Sequence, residues 1–180
     1  SDDSRAREAP GRPRDATLSR LGRLLGTFCL LLACARALPG CATTSRDEIR
    51  ARQAQLDLGH RELARGQWAE GLRRFREVLG EDEDNGQAHR GAGLAYWRLG
   101  RLDEAERHLR RAVESDESWS EPKNDLAAVL VEQGACEEAQ ALLRAVLDDV
   151  FYPTQHFAEH NLARAEACAG EHREAIERLD

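Results

Sequence analysis

The chain has 180 residues, 41% hydrophobic and 33% charged, with a formal net charge of −7, which suits one domain with a modest core. Seven of the 26 basic and four of the 33 acidic residues fall in the first 40, so the remaining body carries 19 basic against 29 acidic side chains. A body this acidic excludes the basic stripe that nucleic acid requires to replace its counterions, and its charges read as a solvated outer face.

Arg5 to Arg23 form a basic region, and Leu24–Ala35 an apolar run of a dozen residues. That run is too short to span a bilayer but fits the core of a signal peptide. Leu38-Pro39-Gly40-Cys41 follows. The order resembles the lipobox of bacterial lipoproteins, with Arg36 after the apolar core and Pro39 before the glycine as departures. The resemblance implies that residues 1–40 are a lipoprotein signal and that Cys41 carries the lipid. Ala42 in place of aspartate implies sorting to the outer membrane. A lipid anchor holds because each buried CH₂ contributes about 0.8 kcal/mol. Residues 41–51 are then the lipidated end and a short polar tether, whose ten residues reach at most about 35 Å. An ordinary secretory signal, or an apolar run in a disordered arm, is the alternative.

From residue 52 a skeleton returns every 34 residues. Gly59, Gly93 and Ala127 share one small position; Gly66, Gly100 and Gly134 share a turn. Gly71, Ala105 and Ala139 share a second small position, and Phe75, Leu109 and Leu143 the large apolar slot after it. A fourth copy follows with a two-residue slip: Ala163, Gly170, Ala175 and Leu179. The small residues sit where two helices cross, and the glycine ends the first helix with positive φ. Paired helices at this period resemble the tetratricopeptide repeat. The expected fold is all-α, a solenoid of about four helix pairs over 52–85, 86–119, 120–153 and 156–180, the last incomplete at Asp180. Each unit buries its apolar face only by stacking.

The first helices of such a solenoid line its concave side. In the second unit this face holds Gln87, Arg90, Leu94, Trp97 and Arg98; in the third, Glu121, Asn124, Ala128, Val131 and Glu132. Trp and Arg are typical interface anchors, so Trp97 and Arg90 lead the candidate partner-binding residues. Packing of Trp97 on a neighbouring unit is an equal alternative. The family's clamp for two carboxylates is not reproduced, since Arg90, Leu94 and Asp125 stand where it would lie.

Between the third and fourth units, Asp148-Asp149-Val150-Phe151-Tyr152-Pro153 leads into Ala158 and Asn161-Leu162. The Tyr-Pro linker and the following Ala-x-x-Asn-Leu resemble the PilF/PilW family of type IV pilus lipoproteins. Ala163 departs from that pattern, as does the small number of repeats. The resemblance implies a non-enzymatic assembly factor on the periplasmic side of the outer membrane, whose groove binds secretin subunits. Pro153 is expected to end a helix and Asn161 to bond across the turn. A lipoprotein that regulates a peptidoglycan enzyme, or one that assembles outer-membrane proteins, is the alternative. No cofactor or small-molecule substrate is expected.

His156-Phe-Ala-Glu159-His160 spells an inverted zinc-protease motif, with two histidines at i and i+4. It lies inside a repeat helix without a downstream third ligand, so no metal site is assigned. His60, His89, His108 and His172 read as scattered and solvated. Cys29 and Cys34 lie in the signal. Cys136 and Cys168 fall at one edge of neighbouring units, either paired in an oxidising compartment or separate core positions.

Overall fold

A computed structural model of the chain describes residues 45–179. Its contacts separate Ser1–Glu48 from Ile49–Asp180, and the second unit is the helical array considered below. Among the described residues there are eight helices and no strand. They are α1 (45–64), α2 (Trp68–Glu81), α3 (Gly86–Arg98), α4 (Leu102–Ser115), α5 (Ser120–Gln133), α6 (Cys136–Leu147), α7 (Gln155–Cys168) and α8 (His172–Leu179). Each helix from α2 onward packs on its neighbours in sequence, and α5 also packs on α3 and α7. This is a tetratricopeptide-repeat solenoid.

The period has a local cause. Gly66, Gly100, Gly134 and Gly170 all take positive φ, between 74° and 86°. Around each, the same wrap forms: the N–H of Gln67, Arg101, Ala135 and Glu171 donates to the carbonyl of Glu62, Tyr96, Leu130 and Glu166, at 2.8–2.9 Å. This six-residue closure ends a helix and starts the return. The crossings need small residues just as strictly. A Cβ added to Gly93 would lie 2.6 Å from Leu109 Cγ, and one on Gly59 would lie 2.8 Å from the Phe75 ring.

The core follows. Phe75, Leu109 and Leu143 are fully buried, with Val78, Val146, Leu126 and Leu130 around them. Leu179, in the same slot of the last unit, is 61% exposed, because α8 packs on α7 alone among the described helices.

Polar side chains fix the breaks between units. Asn85 accepts from Ala88 N–H at 3.0 Å to cap α3. Asp116 accepts from the N–H and hydroxyl of Ser118 before α5. Before α7, Asp149 accepts from Ser120 Oγ at 2.6 Å and from Phe151 N–H at 3.0 Å.

Three expectations need correction. The tether does not extend to residue 51, since α1 begins at residue 45. Its first turn contains Asp47 and Glu48 and no Gly or Pro, a composition that favours a helix N-terminus. Pro153 does not end α6, which stops at Leu147; a seven-residue linker intervenes. Asn161 bonds to another helix rather than across its own turn, as described next.

Candidate protein-interaction site

A cleft of about 450 Å³ opens where α3, α5, α7 and the α6–α7 linker meet. From α5 come Glu121, Asn124, Asp125 and Ala128, at i, i+3, i+4 and i+7, one face of a helix. Arg90 and Trp97, seven apart on α3, form a second wall; Phe157 and Asn161, four apart on α7, form a third. Tyr152, Pro153 and Thr154 of the linker close one end.

Its polar groups are tied together across repeats. Arg90 Nε donates to Asp125 Oδ2 at 2.7 Å, and the guanidinium lies 5.7 Å from the Trp119 ring centre. Burial pushes the Asp125 carboxyl above its usual range, and the Arg90 charge and hydrogen bond oppose that push. Asn161 Nδ2 donates to Asn124 Oδ1 at 3.0 Å, and Arg164 donates to Asn161 Oδ1 at 3.3 Å. Burial likewise raises the Tyr152 hydroxyl, against a hydrogen bond from Thr154. Aromatic walls over a floor whose polar groups, Glu121 apart, are paired take up an apolar side chain at little desolvation cost to the protein. No nucleophile in this cleft stands beside a base.

Of the residues named from sequence, Arg90, Trp97 and Asn124 line this cleft together, with Glu121 and Ala128. Trp97 is half-buried, packed against the core and lining the cleft at once. Arg98 lies outside, 5.2 Å from the Trp97 ring and 5.7 Å from the Trp68 ring. Leu94 is half-buried and Glu132 exposed, neither lining the cleft. Gln87 joins a different, larger cleft of about 630 Å³ with Arg52, Leu56 and Trp119. There Arg52 and Asn85 both bond to Asp82.

Phe157 and the cleft role of Tyr152 and Asp125 escaped the sequence reading. Asp125 follows from the register of Glu121, Asn124 and Ala128, and Phe157 lies one turn before Asn161. Either would have been found by extending the helical face by a single turn.

Two further placements bear on chemistry. Cys136 of α6 and Cys168 of α7 are bonded to each other, with Cα atoms 5.7 Å apart, within the usual span of a disulfide. His156 and His160 are exposed on α7, with His156 against the Phe157 ring. No group of three or more potential metal ligands occurs among the described residues. The solvated reading of His89 and His108 is corrected. His89 is 8% exposed, its Nδ1 lies 2.9 Å from His108 Nδ1, and its Nε2 donates to the Glu83 carbonyl at 2.9 Å. The small residues on α3 let α4 approach closely enough to bury His89 and half-bury His108.

Residues 56–122 match the family model of the tetratricopeptide repeat. No curated protein matches the chain by sequence. Among solved structures, PilF of Pseudomonas aeruginosa is similar, with 26% identity over 72% of this chain and 58% of that one, at a TM-score of 0.67. PilW, a type IV pilus biogenesis factor, is 21% identical over 72% of this chain and 59% of that one, also at 0.67. YrrB, a tetratricopeptide-repeat protein with an unusual peptide-binding site, is 25% identical over 72% and 66%, at 0.62. The chain thus spans less than three fifths of the PilF and PilW structures.

Proposed function

We propose that this chain is a non-enzymatic assembly factor that holds type IV pilus secretin subunits in its inner cleft. It does so from a lipid anchor at Cys41 on the periplasmic face of the outer membrane. The observation that carries the reading is the cleft walled by Trp97, Tyr152 and Phe157, closed at one end by the linker that interrupts the repeat period. The similarity to PilF supports the pilus context. Repeat solenoids of this kind serve as protein-interaction scaffolds. An anchored cleft would raise the effective concentration of bound subunits at the membrane.

Deletion of the gene is expected to leave secretin subunits made but not assembled into heat-resistant multimers on gels. Intact multimers together with altered cell-wall enzyme activity would replace this reading with the peptidoglycan one. Trp97→Ala is expected to reduce secretin binding about tenfold, the scale of an interface anchor, while helix content by circular dichroism stays unchanged. Fatty-acid labelling of the wild type, lost in Cys41→Ala, is the expected result for the anchor.

A further inference from the structure

The α6–α7 linker holds large apolar side chains in water. Phe151 is 90% exposed and Val150 78%, and Phe157, one turn into α7, is 56% exposed. This display is built by the linker's own bonds. Asp149 Oδ1 accepts from Phe151 N–H, and its Oδ2 from Ser120 Oγ on α5. The Asp149 carbonyl accepts from Tyr152 N–H at 3.0 Å and from Gln155 Nε2 at 3.2 Å. Four bonds on one residue fix a turn that sends Tyr152 inward, 5% exposed, and Phe151 outward. An apolar patch of this kind next to a cleft marks a binding surface.

The charges around it have one dominant sign. Glu121 and Asp125 line the cleft, and Asp148 and Asp149 precede Val150 in the chain. Glu121 and Asp148 make no side-chain hydrogen bond or ion pair with another described residue. The cations nearby are Arg90, already bonded to Asp125, Lys123, which faces Asp149 and Asp116, and Arg164, bonded to Asn161 Oδ1. Carboxylates therefore outnumber cations by four to three, and two of the four have no ion-pair partner among the described residues.

We propose that the Val150–Phe151 linker and the adjoining cleft dock a cationic apolar segment of a partner protein, with large apolar side chains set between Lys or Arg. The apolar residues cover Phe151 and Phe157 and enter the cleft between Trp97 and Tyr152; the cations meet Glu121 and Asp148. Opposite charge steers the approach and apolar contact holds the segment. The inference rests on the reading of the chain as a protein-binding scaffold and adds the chemistry of what is bound.

The test uses three fluorescently labelled 14-residue peptides with the intact protein: amphipathic Lys/Leu, the same order with Glu for Lys, and Lys/Ser. Fluorescence anisotropy is expected to show binding of Lys/Leu alone, weakening with salt. Phe151→Asp and Glu121→Lys should each weaken it about tenfold, with unchanged circular dichroism. Glu137→Lys, at the far end of α6, controls for net charge and should leave affinity unchanged. Equal affinity for the Lys/Leu and Glu/Leu peptides, no effect of Phe151→Asp, or an equal effect of Glu137→Lys would each overturn the proposal. If secretin multimers require the protein but the peptides do not discriminate, only the docking chemistry fails. If the peptides behave as stated while multimers form without the protein, only the secretin reading fails.

Discussion

Leu109 in the second repeat is fully buried, whereas Leu179, at the same position of the fourth, is 61% exposed. Their own helix pairs are alike in plan. Leu109 lies over Gly93, which leaves no room for a Cβ, and α4 is covered on its far side by α5. The partner of Leu179's helix is α7 alone among the described helices, and Ile176 beside it is 62% exposed. A repeat position therefore specifies a pocket for the next unit, and a residue becomes core only when that unit arrives. This is the nearest-neighbour logic of a solenoid, read at one residue.

The comparison can be broken most strongly at Leu109. Leu109→Ala should lower the unfolding free energy by about 3–5 kcal/mol, as a transfer loss plus an uncollapsed cavity, measured by urea titration. A loss under about 1 kcal/mol would mean that the second unit is no better packed than the fourth.

The disulfide sharpens the contrast from the other side. It ties α7 to α6 across a sequence separation of 32. Closing such a loop stabilises by about 3–4 kcal/mol in the chain-entropy model. Replacing both cysteines with serine should accelerate hydrogen exchange in α7 and α8 while leaving α3 and α4 protected. Uniform acceleration along the chain would show that the repeats unfold as one cooperative block.

A smaller effect distinguishes the second unit by pH. Burial, with help from His89, Arg107 and Arg76, lowers the His108 pKa to about 4, and Glu104 opposes the shift. The ring also stacks on Tyr96. The unfolded chain takes up this proton near pH 6.5, before the folded one does. Stability is thus fullest above pH 6.5 and declines as pH falls toward 4. Partial exposure screens the effect, so the melting temperature should drop on the order of a few degrees over that range. His108→Phe should flatten this slope; an unchanged slope would assign it to other groups.

The smallest expected effect is at Leu179. Leu179→Ala should change stability by no more than about 0.5 kcal/mol, as at other exposed sites, and a larger loss would show that this side chain is covered in solution.

Much of this was legible along the chain. The turn glycines recur at 34, 34 and 36 residues, and all four take the positive φ expected of them. Gly93 and Gly59 are small for the reason their phase implied. The cleft was legible in part: the faces of α3 and α5 could be read from helical spacing, and Arg90, Trp97 and Asn124 of those faces line it. Gln87, Leu94, Arg98 and Glu132 do not line it, because spacing gives a helix face but not how far along it a neighbour reaches.

The sequence by itself determined the helix pairs, their period and their crossings, since each depends on residues within one unit: a glycine free to take positive φ, a small side chain opposite a large one. Only the tertiary structure decided the electrostatics and the contents of the cleft. Arg90 is neutralised by Asp125, 35 residues on, and Asn161 bonds to Asn124, 37 residues back. These partners lie one repeat apart, so whether they meet depends on the rotation between stacked units. That rotation is set by the summed packing of two interfaces, which no local pattern encodes.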